Sequence, residues 1–143
     1  MTTNPKLLRL IDANLNRLRE GLRVLEDLCR FVYDAQELAS KIKDLRHMCR
    51  ISPYEKYLFS RDSDGDVLRS ITTQSEQSRS DLSSVILSNI KRAQESARVL
   101  EESLKIESLD EAIRFKALRY ALYSLEKELF LLLPQKNVTS NSK

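Results

Sequence analysis

Apolar residues recur along the first third of the chain at three- and four-residue spacing: Ile11, Leu15, Leu18, Leu22 and Leu25, then Ile42, Leu45 and Cys49. That period belongs to a helix with one buried face. Asn4 followed by Pro5 reads as an N-cap with proline in the first turn, opening a helix that should run to about Val32. Asp34 with Glu37 resembles a capping box for a second helix, which Pro53 should stop near residue 51. A further box, Thr73 with Glu76, predicts a third helix to about Ile106, and Ser108 to Glu111 opens a fourth that should end near Pro134. The polar residues 135–143 have no period and are expected to be disordered.

The polar positions carry a second pattern. Residues 11–26, IDANLNRLREGLRVLE, align at an offset of 75 with residues 86–101, ILSNIKRAQESARVLE, and eight of the sixteen positions are identical. Five of the eight are polar: Asn14/Asn89, Arg17/Arg92, Glu20/Glu95, Arg23/Arg98 and Glu26/Glu101. Cores accept many hydrophobic exchanges, so packing alone does not ask for the same Asn, Arg and Glu. Lys43, Leu45 and Arg46 likewise align with Lys116, Leu118 and Arg119, which makes the repeated unit a helix pair. The expected fold is all-α, a four-helix bundle of two helical hairpins related by a pseudo-two-fold. Residues 1–134 form its single helical domain, with repeat 1 at about 5–51, a long central loop at 52–72 and repeat 2 at about 73–133.

Composition agrees with this picture. With two Gly, three Pro and no Trp among 143 residues, the chain has few places for hairpin turns. Charged residues make up 31% but cancel to a formal +3 and are interleaved by sign, which argues against a nucleic-acid partner. No apolar run approaches the roughly 20 residues of a membrane span, and the N-terminus has no secretory pattern, so the expected location is cytoplasmic. Cys29 and Cys49 lie on apolar stripes without metal-ligand spacing and are expected to be buried free thiols.

Helical geometry sorts the repeated polar residues. Arg23 and Glu26 fall away from the main stripe and could form a surface ladder with Glu20 and Arg30. Asn14 and Arg17 share a second face with Gly21, Val24 and Leu28 that should meet another helix, and a small residue accompanies them in both copies, Gly21 and Ser96. Two such pairs facing each other would set two guanidiniums in one cleft and favour a polyanion such as a phosphate. Buried Arg17–Glu95 and Arg92–Glu20 bridges would satisfy the same residues structurally. His47 is the one histidine and falls on the polar side of the second helix beside Lys43 and Arg46. In the loop, Asp62, Asp64 and Asp66 alternate like calcium ligands, but Val67 stands where an EF-hand needs glycine and Thr73 where it needs glutamate. Asp62 or Asp66 with phosphate oxygens could still hold Mg²⁺. No phosphate-binding glycine motif is present.

The stretches IDANLNRLREGLRVLED, KDLRHM, SRDSDGD and RSDLSSVILSNIKRAQESARVLEE resemble, in order, the all-helical domain that precedes thiamine-phosphate synthase in some bacterial fusion proteins, over about residues 10–130. The resemblance implies an alternative hydroxymethylpyrimidine-phosphate kinase, using ATP and Mg²⁺ on a phosphorylated pyrimidine. It maps the family's Asn, Arg and Glu positions onto Asn14, Arg17, Glu20, Asn89, Arg92 and Glu95, an Arg-His pair onto Arg46 and His47, and a loop motif onto Arg61, Asp62 and Ser63. Where the family usually has Asp-Val-Gly, this chain has Asp66, Val67 and Leu68. The expected roles are Arg17, Arg92 and Arg61 on phosphates, Asp62 and Asp66 on Mg²⁺, Asn14 and Asn89 on substrate edges, and Arg46 or His47 at the transition state, with Glu20, Glu95, Lys43 and Ser63 also in the substrate site. Two other functions fit the same residues: a non-catalytic partner of thiamine-phosphate synthase, and a nucleotide pyrophosphohydrolase using Glu26, Asp27, Glu101 and Glu102.

Overall fold

The computed structural model describes residues 4–73 and 77–141, the side chains of 133–141 excepted. It is all-α, with no strand among the described residues. Helix α1 (Pro5–Asp27) runs into a π-helical turn (Leu28–Val32), followed by α2 (Gln36–His47), the short α3 (Tyr54–Leu58), α4 (Leu82–Glu107) and α5 (Leu109–Asn141). Helix α1 packs against both α2 and α4, and α4 packs against α5, so the first helices of the two repeats form the central pair. They run antiparallel: Gly21 lies against Asn89 and Ala93, while Tyr33, beyond the end of α1, feels the charge of Asp81 at the start of α4. A β-carbon on Gly21 would stand 3.2 Å from the Asn89 carbonyl oxygen, so this glycine sets how closely the two backbones approach.

The apolar stripes meet as the spacing predicts. Ile11, Leu15, Leu18, Leu22, Leu25, Ile42 and Cys49 are buried with Ile86, Ile90, Leu100 and Leu104 from α4 and Phe115, Leu122 and Leu125 from α5. Leu45 is only partly buried at the edge of this core. Cys29 and Cys49 are free thiols inside it, and burial pushes them up to about 11 and about 12. Thiolate is the reactive form, so neither cysteine should react with a disulfide reagent at pH 8 in the folded protein, and both should react once it unfolds. Rapid labelling of either native thiol would contradict this burial.

Several element boundaries differ from the sequence reading. The N-cap at Asn4 forms, its side chain accepting from the Lys6 amide at 2.9 Å. The box at Asp34 does not: Asp34 takes a left-handed φ of 50°, which Asp tolerates better than most residues, and α2 starts at Gln36 behind an uncapped Ala35. Helix α2 also ends earlier than expected, at His47. Helix α4 opens at Leu82, not Thr73. Its cap is Asp81, which accepts from the Ser84 amide at 2.9 Å; the other half of the expected box, Glu76, lies outside the described residues. The connector therefore extends from Met48 to Asp81, longer than the expected 52–72, and contains α3 and isolated turns among its described residues. Ion pairing of Lys56 with Glu107 ties α3 to the end of α4. Helix α5 continues through Pro134 to Asn141, past the expected stop and into the stretch expected to be disordered. Proline removes one amide from the hydrogen-bond ladder and ends a helix only where the neighbouring turns do not hold it.

Candidate functional site

Five polar pairs are repeated, and the structure separates them. Asn14 and Asn89 each turn their amide nitrogen back onto their own helix, to the Leu10 carbonyl at 3.0 Å and the Val85 carbonyl at 2.8 Å. Glu26 and Glu101 are buried and receive Arg46 Nε and Arg119 Nε, each at 2.8 Å, so each hairpin is closed by one interior ion pair. This corrects one reading: Glu26 is not part of a surface ladder, because α2 covers that side of α1. Arg46 is held through Nε by Glu26, which leaves its terminal nitrogens as the part that could meet a ligand. Arg23 and Arg98 do lie on the surface, against Asp27 at 3.4 Å and Glu102 at 3.5 Å. Arg17, Arg92, Glu20 and Glu95 are exposed, and among the described residues none of them has an ion pair. The alternative Arg17–Glu95 and Arg92–Glu20 bridges are absent there. Packing accounts for the buried members of the repeat and leaves Arg17 and Arg92 unexplained.

Arg17 opens into a cavity of about 390 Å³ between α1 and the connector. Its walls include Lys6, Arg9, Asp12, Asn14 and Asn16 from α1, and Arg61, Asp62, Ser63 and Asp66 from the connector. Six of the expected site residues, Asn14, Arg17, Arg61, Asp62, Ser63 and Asp66, are thus brought to one place from segments far apart in sequence. Their second-copy partners Asn89, Arg92 and Glu95 sit on α4 and do not line this cavity, so it is built on one half of the repeat. Lys43 borders a different groove of about 540 Å³, with Glu26, Arg30, Asp34 and Ser40. His47 is exposed at the end of α2 and Glu20 is exposed on α1; neither lines the cavity.

The one-sidedness has a cause in the sequence. Where the copies differ, the first has Asp12, Asn16 and Arg19 along one stripe, and the second has Leu87, Lys91 and Gln94. Asp12, only 4% exposed, grips Arg61 with both oxygens: Arg61 Nε donates at 2.8 Å and Nη2 at 3.0 Å. This pairing raises the Arg61 guanidinium further above its ordinary value, the hydrogen bonds to Asp12 being the largest cause. Arg19 donates to Asn16 at 2.7 Å and to the Cys49 carbonyl at 3.3 Å, and Arg9 donates to the Asp62 carbonyl at 3.0 Å. Asp12, Arg19 and Arg9 therefore fasten the connector to α1 at Arg61, Cys49 and Asp62. On α4 the corresponding Lys91 and Gln94 turn instead to Glu126 of α5. Lys6, Arg9, Asp12 and Asn16 are cavity residues that sequence reasoning missed; for Asp12 the signal was the break in the repeat, polar in one copy and leucine in the other.

The loop carboxylates are partly used by the loop itself. Asp62 Oδ1 accepts from the Gly65 amide and Asp66 Oδ1 from the Leu68 amide, both at 3.0 Å. A β-carbon at Gly65 would fall 2.3 Å from the Asp62 carboxylate, so glycine is what lets Asp62 cap this turn. Leu68 needs no glycine here: Asp34 is the one non-glycine residue with positive φ in the described backbone. Asp62 and Asp66 each retain a second oxygen without a hydrogen bond among the described residues. No group of three or more His, Cys, Asp or Glu side chains among those residues forms a metal cage. This donor set fits Mg²⁺ in its usual mode of one or two carboxylates completed by phosphate oxygens and water, and does not fit calcium.

The ThiD2 family model matches residues 9–128. Among curated relatives, a thiamine-phosphate synthase of Synechococcus sp. (strain WH7803) is 38% identical over 125 residues, covering 87% of this chain and 35% of the relative. The thiamine-phosphate synthase of Rhodopirellula baltica is 39% identical over 138 residues, covering 94% of this chain and 37% of its own length. This chain thus spans about a third of such relatives. No solved structure matches it, and no described helix is long and apolar enough to cross a membrane. On the extent of the family match, the chain belongs to the ThiD2 family.

Proposed function

We propose that this chain acts in thiamine biosynthesis as a phosphotransferase, converting hydroxymethylpyrimidine phosphate to its diphosphate with ATP and Mg²⁺. The observation that supports it most is the convergence of Arg17, Arg61, Asp62 and Asp66 on one open cavity in a chain of this family. In the reaction, an oxygen of the substrate phosphate attacks the γ-phosphorus of ATP; a new P–O–P bond forms and the bond to the β-phosphate oxygen breaks, releasing ADP. The attacking oxygen is already anionic, so no strong base is required. What the site must supply is alignment and charge. Lys6, Arg9 and Arg17 present cationic groups to the cavity, Arg61 is held in place by Asp12, and Asn14 and Ser63 offer hydrogen bonds for orientation. Mg²⁺ held through the spare oxygens of Asp62 and Asp66 would neutralise charge on the transferring phosphates.

The decisive assay is purified protein with ATP, Mg²⁺ and hydroxymethylpyrimidine phosphate, followed by ³¹P NMR. The diphosphate and ADP should appear together, and their absence under all metal conditions would refute the kinase reading. A second reading, a non-catalytic partner of thiamine-phosphate synthase, draws on the relatives in which the matching stretch is about a third of a synthase. A pure interaction module should give no calorimetric heat with ATP. The pyrophosphohydrolase reading loses its support, because Glu26 and Glu101 are buried in arginine pairs.

A further inference from the structure

A second cavity, of about 340 Å³, lies on the other side of the Asp12–Arg61 pair, and Asp12 lines both. Leu15, Ile51, Tyr54 and Tyr57 give the second cavity apolar and aromatic walls, while Arg19, Arg50 and Ser52 stand among them as polar groups. Apolar walls with a few placed polar groups, in a space within the ~300–1,000 Å³ typical of such pockets, are the mark of a small-molecule site. Tyr57 is 3% exposed and fixed in the core, whereas Tyr54 is 54% exposed and lies near enough to Arg61 to help hold its guanidinium protonated. One aromatic wall is therefore rigid, and the other is coupled to the residue that borders the phosphate-type cavity.

We propose that this second cavity holds the flat, amino-substituted heteroaromatic ring of the ligand whose phosphates occupy the first, Asp12 forming the shared wall. The inference rests on the phosphotransferase reading for the direction of the ligand. A ring face would stack on Tyr54, and aromatic stacking tolerates many ring types. Ring amino groups are donors, and Asp12 and the Ser52 hydroxyl are acceptors along the cavity wall: Asp12 Oδ1 already receives Arg61 and Asn16, while Oδ2 receives Arg61 alone and keeps a lone pair. Leu87 in place of Asp12 explains why the second repeat offers no equivalent. An aminopyrimidine monophosphate and an adenine nucleotide share this chemistry, and a binding experiment separates them.

The test is calorimetric, on the full chain, with four probes: hydroxymethylpyrimidine phosphate, AMP, a non-hydrolysable ATP analogue with Mg²⁺, and inorganic pyrophosphate with Mg²⁺. Tyr54→Ala should weaken the ring-bearing probe that uses this cavity by roughly tenfold, the scale of one lost stacking contact, and leave pyrophosphate unchanged. Tyr54→Phe should keep most of the affinity. Loss confined to the pyrimidine phosphate assigns the cavity to the acceptor, and loss confined to the two adenine probes assigns it to the donor. Equal weakening of pyrophosphate, no weakening of any probe, or failure of all ring-bearing probes to bind the unaltered protein would each overturn the proposal. Binding is read without turnover, so a ring site in a chain that makes no diphosphate would fault the kinase reading alone. Full turnover with an indifferent Tyr54 would fault the ring site alone.

Discussion

Arg17→Lys is expected to lower turnover by roughly one to three orders of magnitude while leaving the melting temperature nearly unchanged. The size follows from losing one preorganised charged donor at a transferring phosphate, about 2–4 kcal/mol by analogy with other such donors. Lysine keeps the charge but not the planar fork that holds two phosphate oxygens at once. The stability half of the expectation comes from the structure: Arg17 is exposed and has no ion pair among the described residues, so nothing buried is orphaned by the change. Arg92→Lys makes a sharper comparison. Arg92 is the repeat partner of Arg17 and is equally exposed, but it does not line the cavity bounded by α1 and the connector. If that cavity is the whole phosphate site, Arg92→Lys should keep most of its turnover; if both guanidiniums reach the phosphates, the two variants should fall together. Steady-state kinetics and thermal melts on the same samples read both quantities. A fully active Arg17→Lys would remove the phosphate role from this residue.

The fold was legible wherever the signal was local or periodic. Asn4-Pro5 caps α1 because a cap needs only neighbouring residues, and the stripe from Ile11 to Leu25 meets the core because one helical face suffices to define it. Competing local signals were not resolvable. Thr73 with Glu76 and Asp81 before a leucine are both acceptable helix starts, and the long helix begins behind the second. Glu26 shows the deeper limit. On a wheel with a single buried face it points to solvent, but α1 is covered on two sides, by α2 and α4, and a second neighbour cannot be seen from one helix. The site was half legible for the same reason. Repetition marked Asn14 and Arg17 correctly as one face, yet it also implied a symmetric cleft, and symmetry is what Asp12, Asn16 and Arg19 break by fastening the connector to one copy.

Arg119→Ala is expected to cost about 3–5 kcal/mol of stability, the largest single effect in the molecule outside the apolar core. Arg119 and Glu101 have side chains only 9% and 7% exposed, and Arg119 Nη1 also donates to the Tyr123 hydroxyl at 3.0 Å. Truncating the arginine leaves a carboxylate in the interior without its partner, and that desolvated charge is the main cost. Removing both charges should behave differently: Glu101→Leu with Arg119→Met leaves no buried carboxylate or amide from the pair and should recover much of the loss. The first repeat supplies an internal control. Glu26 is as deeply buried as Glu101, but Arg46 is 15% exposed, so water reaches that pair more readily and Arg46→Ala should cost less than Arg119→Ala. Urea denaturation of the two single variants and the double variant measures these differences directly. Should Arg119→Ala and the double variant prove equally unstable, lost packing around the side chain would be responsible, not an uncompensated charge, and the twin pairs would owe their recurrence to shape.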